Sequence, residues 1–100
     1  MMLKDKNSMQ EVTASAQLTN TVGLHARPSV KLTQLAKRFA ARIEVATSAA
    51  GPWTDAKSPV KIMRVKASQG EMLHFKASGA DADAAVAALI DIVARKFDEE

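Results

Sequence analysis

The run Gly23-Leu24-His25-Ala26-Arg27-Pro28 places a histidine where a turn ends and a helix begins. From Ala26 onward, Leu32, Leu35, Ala36 and Phe39 recur at the three-and-four spacing of one helical face, which predicts a helix over 26–39. Pro28 suits its first turn, because the N–H that proline lacks would have had no partner inside the helix. Gly23 permits the tight turn that leads in. His25 therefore belongs at or beside the N-cap, where Ser, Thr, Asp or Asn ordinarily lends an oxygen to a free backbone donor. None of these stands at 23–27, and Asn20 and Thr21 lie too far back to do so simply. The early N–H groups are left free, and with the positive end of the helix they make an anion site.

The same positive end disfavours imidazolium and so favours an uncharged, nucleophilic His25. Arg27 adds a planar, permanently charged donor set that matches phosphate oxygens. A nucleophilic ring nitrogen, an anion pocket and an arginine suffice to take up a phosphoryl group covalently. Ala26, through the backbone of the first turn, and Ser29 belong to the expected phosphate site; the Ser29 hydroxyl either donates to a phosphate or faces water. A solitary histidine near a helix start is ordinarily a solvated surface residue, and it is the Gly, Arg and Pro flanks that set this one apart.

Outward from this run the chain alternates. Val12, Ala14, Ala16 and Leu18 share one side of a half-buried strand over 11–18. Residues 42–47 alternate again with Ile43 and Val45 inward, 48–52 turn at Gly51-Pro52, and 53–57 form a short third strand. Ser58 at N-cap and Pro59 at N1 open a short apolar helix with Val60, Ile62, Met63 and Val65, which Ser68-Gln69-Gly70 breaks. A fourth strand runs over 72–77 with Leu73, Phe75 and Ala77 on one face. Asp81 or Asp83 then caps a last helix carrying Val86, Leu89, Ile90, Val93 and Phe97, and Asp98, Glu99 and Glu100 read as a solvated tail. The order is strand, helix, strand, strand, helix, strand, helix, and a four-stranded sheet with helices on one face would bury every apolar stripe.

One hundred residues, 47% of them apolar, make one domain with a real core. Residues 11–100 form that domain and 1–10 a flexible leader without the apolar segment of a secretory signal. No cysteine is present, so disulfides and thiolate metal sites are excluded. No apolar run reaches the roughly 18 residues of a membrane span, so a soluble cytoplasmic protein with no membrane insertion is expected. The net charge of +3 is mild. Its basic clusters, with few aromatics and no base-reading motif, read as solvated faces suited to acidic protein partners rather than to nucleic acid. Two histidines without an acidic cluster make no metal site. No phosphate loop or nucleotide pocket is legible, so no cofactor is called for. His74 is an exposed strand residue on this reading, and Trp53 a core or sheet-edge anchor.

The segment Gly23-Leu24-His25-Ala26-Arg27-Pro28-Ser29, followed by an amphipathic helix, resembles the active-site segment of HPr, the histidine phosphocarrier family of the bacterial phosphotransferase system. The resemblance extends over about 11–97, with Ala56-Lys57-Ser58, Gln69-Gly70 and the Ala-rich last helix agreeing in place. The ending Phe97-Asp98-Glu99-Glu100 is similar to the nitrogen-related branch, NPr, whereas Gly51-Pro52-Trp53 looks more like modules of multidomain phosphotransferase proteins.

The resemblance implies an α+β open-faced β-sandwich, βαββαβα, with a four-stranded antiparallel sheet covered on one face by three helices. It implies phosphorylation of His25 on Nδ1, with Arg27 stabilising the phosphoryl group. The partners it implies are enzyme I as donor and an enzyme IIA-type domain or a related regulator as acceptor. The chain would then be a monomeric carrier of phosphate in sugar uptake or a regulatory branch, not an enzyme. Ser58 matches a regulatory phosphorylation site of Gram-positive members, but the reading favoured for it here is an ordinary N-cap. Ala26, Val60 and Met63 would make a docking patch for partners. Two departures stand out: Pro59, Val60 and Lys61 follow Ser58 where relatives commonly carry a bulky apolar pair, and Val22 stands where many carry Asn. The other reading of the same residues is a regulatory binding module, in which phosphorylation switches partner binding instead of relaying phosphate.

Overall fold

Alternation of small apolar and polar side chains makes β1 (Glu11–Gln17) a strand that can lie on a core with one face. The computed structural model describes residues 11–99, and the leader expected over 1–10 lies outside them. After β1 come α1 (Ala26–Ala36), β2 (Arg42–Ala46), β3 (Thr54–Asp55), α2 (Pro59–Met63), β4 (Met72–Ser78), α3 (Ala82–Ala94) and a terminal turn, Lys96–Asp98. The strands form one sheet in the order β1-β4-β2-β3, with every pair antiparallel. This is the expected open-faced sandwich.

Register places the core. Val12, Ala14 and Ala16 stand opposite Ala77, Phe75 and Leu73, while Ile43 and Val45 stand opposite Ala77 and Phe75 on the other side of β4. These β4 side chains are fully buried beneath α3 with its Ala85, Val86, Leu89 and Val93, and Leu32 and Ala36 of α1, which packs against α2 and α3, complete the same core. The opposite face carries Thr13, Ser15, Glu44, His74 and Lys76, as their alternation requires. His74 lies there, half-buried, between Ser15 and Ala46. Trp53 sits beside β3, with Lys76 Nζ 4.3 Å from its ring centre.

Several local expectations change. α1 ends at Ala36, a turn earlier than the spacing to Phe39 suggests. Its last turn tightens, with Arg38 N–H donating to Leu35 O and Phe39 N–H to Ala36 O, and the chain leaves the helix before Phe39. Asp81 does hold the N-cap position of α3, but its side chain makes no capping bond there. Its two carboxylate oxygens accept from Ala40 N–H at 2.9 Å and Ala41 N–H at 2.7 Å instead.

Phe97 is fully buried, as its apolar spacing implied, but not on α3. Lys96, Phe97 and Asp98 all have positive φ, 55, 57 and 59°, a left-handed conformation costing about 1 kcal/mol or more for each side-chain-bearing residue. Burial of the Phe97 ring, worth roughly 1.5–3 kcal/mol, helps to offset that strain. Nor are Asp98 and Glu99 a free tail: Asp98 pairs with Arg95 at 2.5 Å, and Glu99 returns to α1.

Candidate functional site

The site begins with two loops held together. Gly23 has φ 65°, and a Cβ on it would stand 2.5 Å from the carbonyl oxygen of Ala67 and 2.9 Å from Ser68 Cα. Only glycine meets both demands. The close approach lets Leu24 N–H donate to Ala67 O at 2.9 Å, which registers the loop before α1 against the loop before β4. Asn20 braces the same turn from inside: it is fully buried, its Nδ2 donates to Gly23 O at 2.8 Å, and its own carbonyl accepts Gly23 N–H at 3.1 Å. The sequence reading set Asn20 aside as too far back to cap α1 and did not assign it this brace, although an Asn three residues before Gly in a loop is a turn signal.

His25 emerges from this frame as the N-cap of α1, with φ −91° and ψ −167° and no capping bond from its side chain. It is exposed, as are Ala26 and Arg27. The first N–H of α1 committed to the helix is that of Ser29, which donates to His25 O at 2.8 Å. Pro28 has no N–H, and those of Ala26 and Arg27 meet no acceptor among the described residues. Two backbone donors thus face outward at the positive end of a helix, beside an accessible imidazole.

Ser29 is corrected. Its side chain is fully buried and its hydroxyl lies 3.3 Å from Leu24 O, to which it donates. It neither meets a phosphate nor faces water, and its N–H belongs to the helix. The signal was available: Ser29 stands three residues before Leu32, on the buried face. Arg27 is 82% exposed beside His25, and its Nε lies 3.4 Å from Glu99 Oε1. Glu99 is a site residue that sequence reasoning missed. A left-handed turn of three non-glycine residues has no recognisable sequence signal.

Two open clefts flank His25. One of about 420 Å³ is bounded by Thr21, Val22, His25, Ala26, Arg27, Pro28 and Glu99. The other, about 410 Å³, is lined by Val22, Leu24, His25, Ala26, Met63, Lys66, Ala67 and Ser68. Met63 is therefore brought to His25, whereas Val60 lies outside that lining on the exposed side of α2. Val22 and Met63, 56 and 41% exposed, share the lining of that second cleft, and Val60 is 54% exposed on α2. Lys61, Arg64 and Lys66 around them are exposed and pair with no acidic side chain among the described residues. Ser58 caps α2, its Oγ accepting Lys61 N–H at 3.3 Å.

The family model described as "PTS HPr component phosphorylation site" matches residues 12–95. The phosphocarrier protein HPr of Cupriavidus necator is 37% identical over 82 residues, covering 82% of this chain and 90% of that protein. The phosphocarrier protein NPr of Escherichia coli K12 is 29% identical over 89 residues, covering 89% of this chain and 98% of that one. Among solved structures, HPr from Thermoanaerobacter tengcongensis superposes with a TM-score of 0.79 at 38% identity, covering 92% of this chain and 99% of that one.

Proposed function

This chain belongs to the HPr phosphocarrier family of the phosphotransferase system, and we propose that within it His25 accepts a phosphoryl group from phosphorylated enzyme I and passes it to an enzyme IIA-type domain or a related regulator. The observation that carries this reading is the exposed His25 at an uncapped helix N-terminus, beside the unpartnered N–H groups of Ala26 and Arg27.

The transfer is an in-line exchange between two imidazoles. The lone pair of an uncharged ring nitrogen of His25 forms the new N–P bond as the donor's N–P bond breaks. The electron pair of the broken bond returns to the donor imidazole. One phosphoryl group moves, and proton and charge counts match on the two sides. Charge develops on the equatorial oxygens, where the two backbone donors and the Arg27 guanidinium stabilise it. Val22 and Met63, with Lys66 beside them in the His25 cleft and the exposed Val60 further along α2, dock partners with acidic rims. One small face serves donor and acceptor in turn, so each contact is brief and the carrier works as a cytoplasmic monomer.

The test is charging with phosphoenolpyruvate and enzyme I. One equivalent of acid-labile phosphate is expected on the native chain and none on His25→Ala. Full labelling of His25→Ala rejects the assignment.

A further inference from the structure

His25 stands between two clefts, and each has one cationic side chain on its wall. Arg27 borders the first. Lys66 lines the second, the only lysine, arginine or acidic residue there. Lys66 also sits on a backbone that suits glycine. Its φ is 54°, the one positive φ of a non-glycine residue outside the terminal turn among the described residues. At such a φ a Cβ crowds the following carbonyl oxygen, and only glycine escapes the penalty. In the terminal turn the burial of Phe97 helps to offset that strain. Nothing of the kind serves Lys66: its side chain is exposed and has no hydrogen-bond or ion-pair partner among the described residues.

The place of Lys66 is fixed from both sides. Before it, Val65 N–H donates to Ile62 O at 3.0 Å in the last turn of α2. After it, Ala67 O accepts Leu24 N–H at 2.9 Å, and Lys66 and His25 flank that bond, one on each segment. Further on, Ser68 N–H donates to Glu71 Oε2 at 2.9 Å and Gly70 N–H to Leu18 O at 2.7 Å. The backbone is thus pinned beside His25, and only the side chain is free to move. Strain kept at an accessible side chain that supports nothing in the fold points to a use at the site. Lys61 and Arg64 differ: neither lines the His25 cleft, and both border a groove with Ala46, Thr47 and Pro52 instead. They are placed for a partner's acidic rim, whereas Lys66 is placed for what His25 carries. Resting on the carrier reading above, we propose that Lys66 is a second cation for the phosphoryl group, meeting its oxygens from the cleft that Arg27 does not border. Its ammonium donates hydrogen bonds to the equatorial oxygens as charge develops on them. It keeps its proton and forms no covalent bond, so the exchange between imidazoles balances as before.

The experiment measures the rate at which the full chain takes phosphate on His25 from phosphorylated enzyme I and from a small phosphoramidate, together with urea midpoints, for native protein, Lys66→Gly and Lys66→Arg. Glycine relieves the backbone, so the midpoint of Lys66→Gly is expected at or above the native one. Its uptake is nonetheless expected to slow roughly three- to fivefold with both donors, the size of one exposed charged contact. Lys66→Arg keeps a cation in the cleft and should restore uptake to within about twofold of native. A more stable Lys66→Gly that is a slower acceptor cannot be read as damage to the fold. Native rates in Lys66→Gly overturn the proposal. Slowing with enzyme I alone overturns it too, because it assigns Lys66 to a partner's surface instead of the phosphoryl group. Equal slowing in Lys66→Arg also overturns it, since the cation would then be beside the point. A native chain that takes no phosphate on His25 overturns the carrier reading and this one with it; a charged His25 with native rates in Lys66→Gly overturns this one alone.

Discussion

Asp81 Oδ1 accepts the backbone N–H of Ala41 at 2.7 Å, across 40 positions of sequence. With Oδ2 on Ala40 N–H, it ties the start of α3 to the turn between α1 and β2. The N–H of Ala40, first among the causes, and then that of Ala41 hold the carboxyl below the ordinary range against some desolvation, and the charge of Lys57 adds to them.

A folded-state value below the unfolded one means that the carboxylate's contribution is present above about pH 4 and is lost as pH falls through the depressed value. Urea midpoints of the native chain are therefore expected to fall as pH drops below about 4, and those of Asp81→Asn to be lower at neutral pH and flatter over this acid range. A native midpoint that tracks Asp81→Asn across the whole range would remove Asp81 from the acid response.

Gly23→Ala should disturb stability and function together. The added Cβ meets Ala67 O at 2.5 Å while φ stays at 65°. Backbone strain of this kind costs about 1–3 kcal/mol. Separating the two loops also moves His25 away from Met63, so phosphoryl uptake from enzyme I is expected to slow along with the loss in urea stability.

Ser29→Ala separates the two. Its hydroxyl serves Leu24 O inside the fold. Loss of that bond costs about 1 kcal/mol of folding stability. Uptake of phosphate by His25 at 25 °C is expected to stay within about twofold, because the hydroxyl does not face the site. A tenfold loss of uptake with native stability would restore Ser29 as a phosphate ligand.

Met63→Glu addresses docking. The side chain is 41% exposed and borders the His25 cleft. An exposed substitution changes stability by about 0.5 kcal/mol or less. A charge set at the centre of an apolar contact should slow transfer from enzyme I about tenfold. Charging by a small phosphoramidate, which needs no docking face, should be unaffected. Equal slowing with both donors would place Met63 in the chemistry instead.

Much of the site was legible because it is local. A glycine, a histidine and a proline at those offsets dictate a turn, an uncapped helix start and free N–H groups whatever else the chain does. Ser58-Pro59 is legible for the same reason, as are the strands, whose alternation survives in the register of β1 on β4. The errors share a different origin. The hydroxyl of Ser29 was assigned outward because its partner, Leu24 O, becomes an acceptor only once the loop has closed. Asp81 was assigned to its own helix because Ala40 and Ala41 are remote in sequence.

The amino-acid sequence by itself determined the exposed histidine at an uncapped helix start, the free N–H groups beside it and the faces of the strands, since these depend on backbone chemistry within one turn or on a two-residue period. Only the tertiary structure decided what Arg27 touches. Its partner lies 72 residues on and reaches it through a turn that no propensity favours, stable because Phe97 is buried beneath it. Interactions of that kind exist only after the core has formed, and there the state of the site's arginine is set.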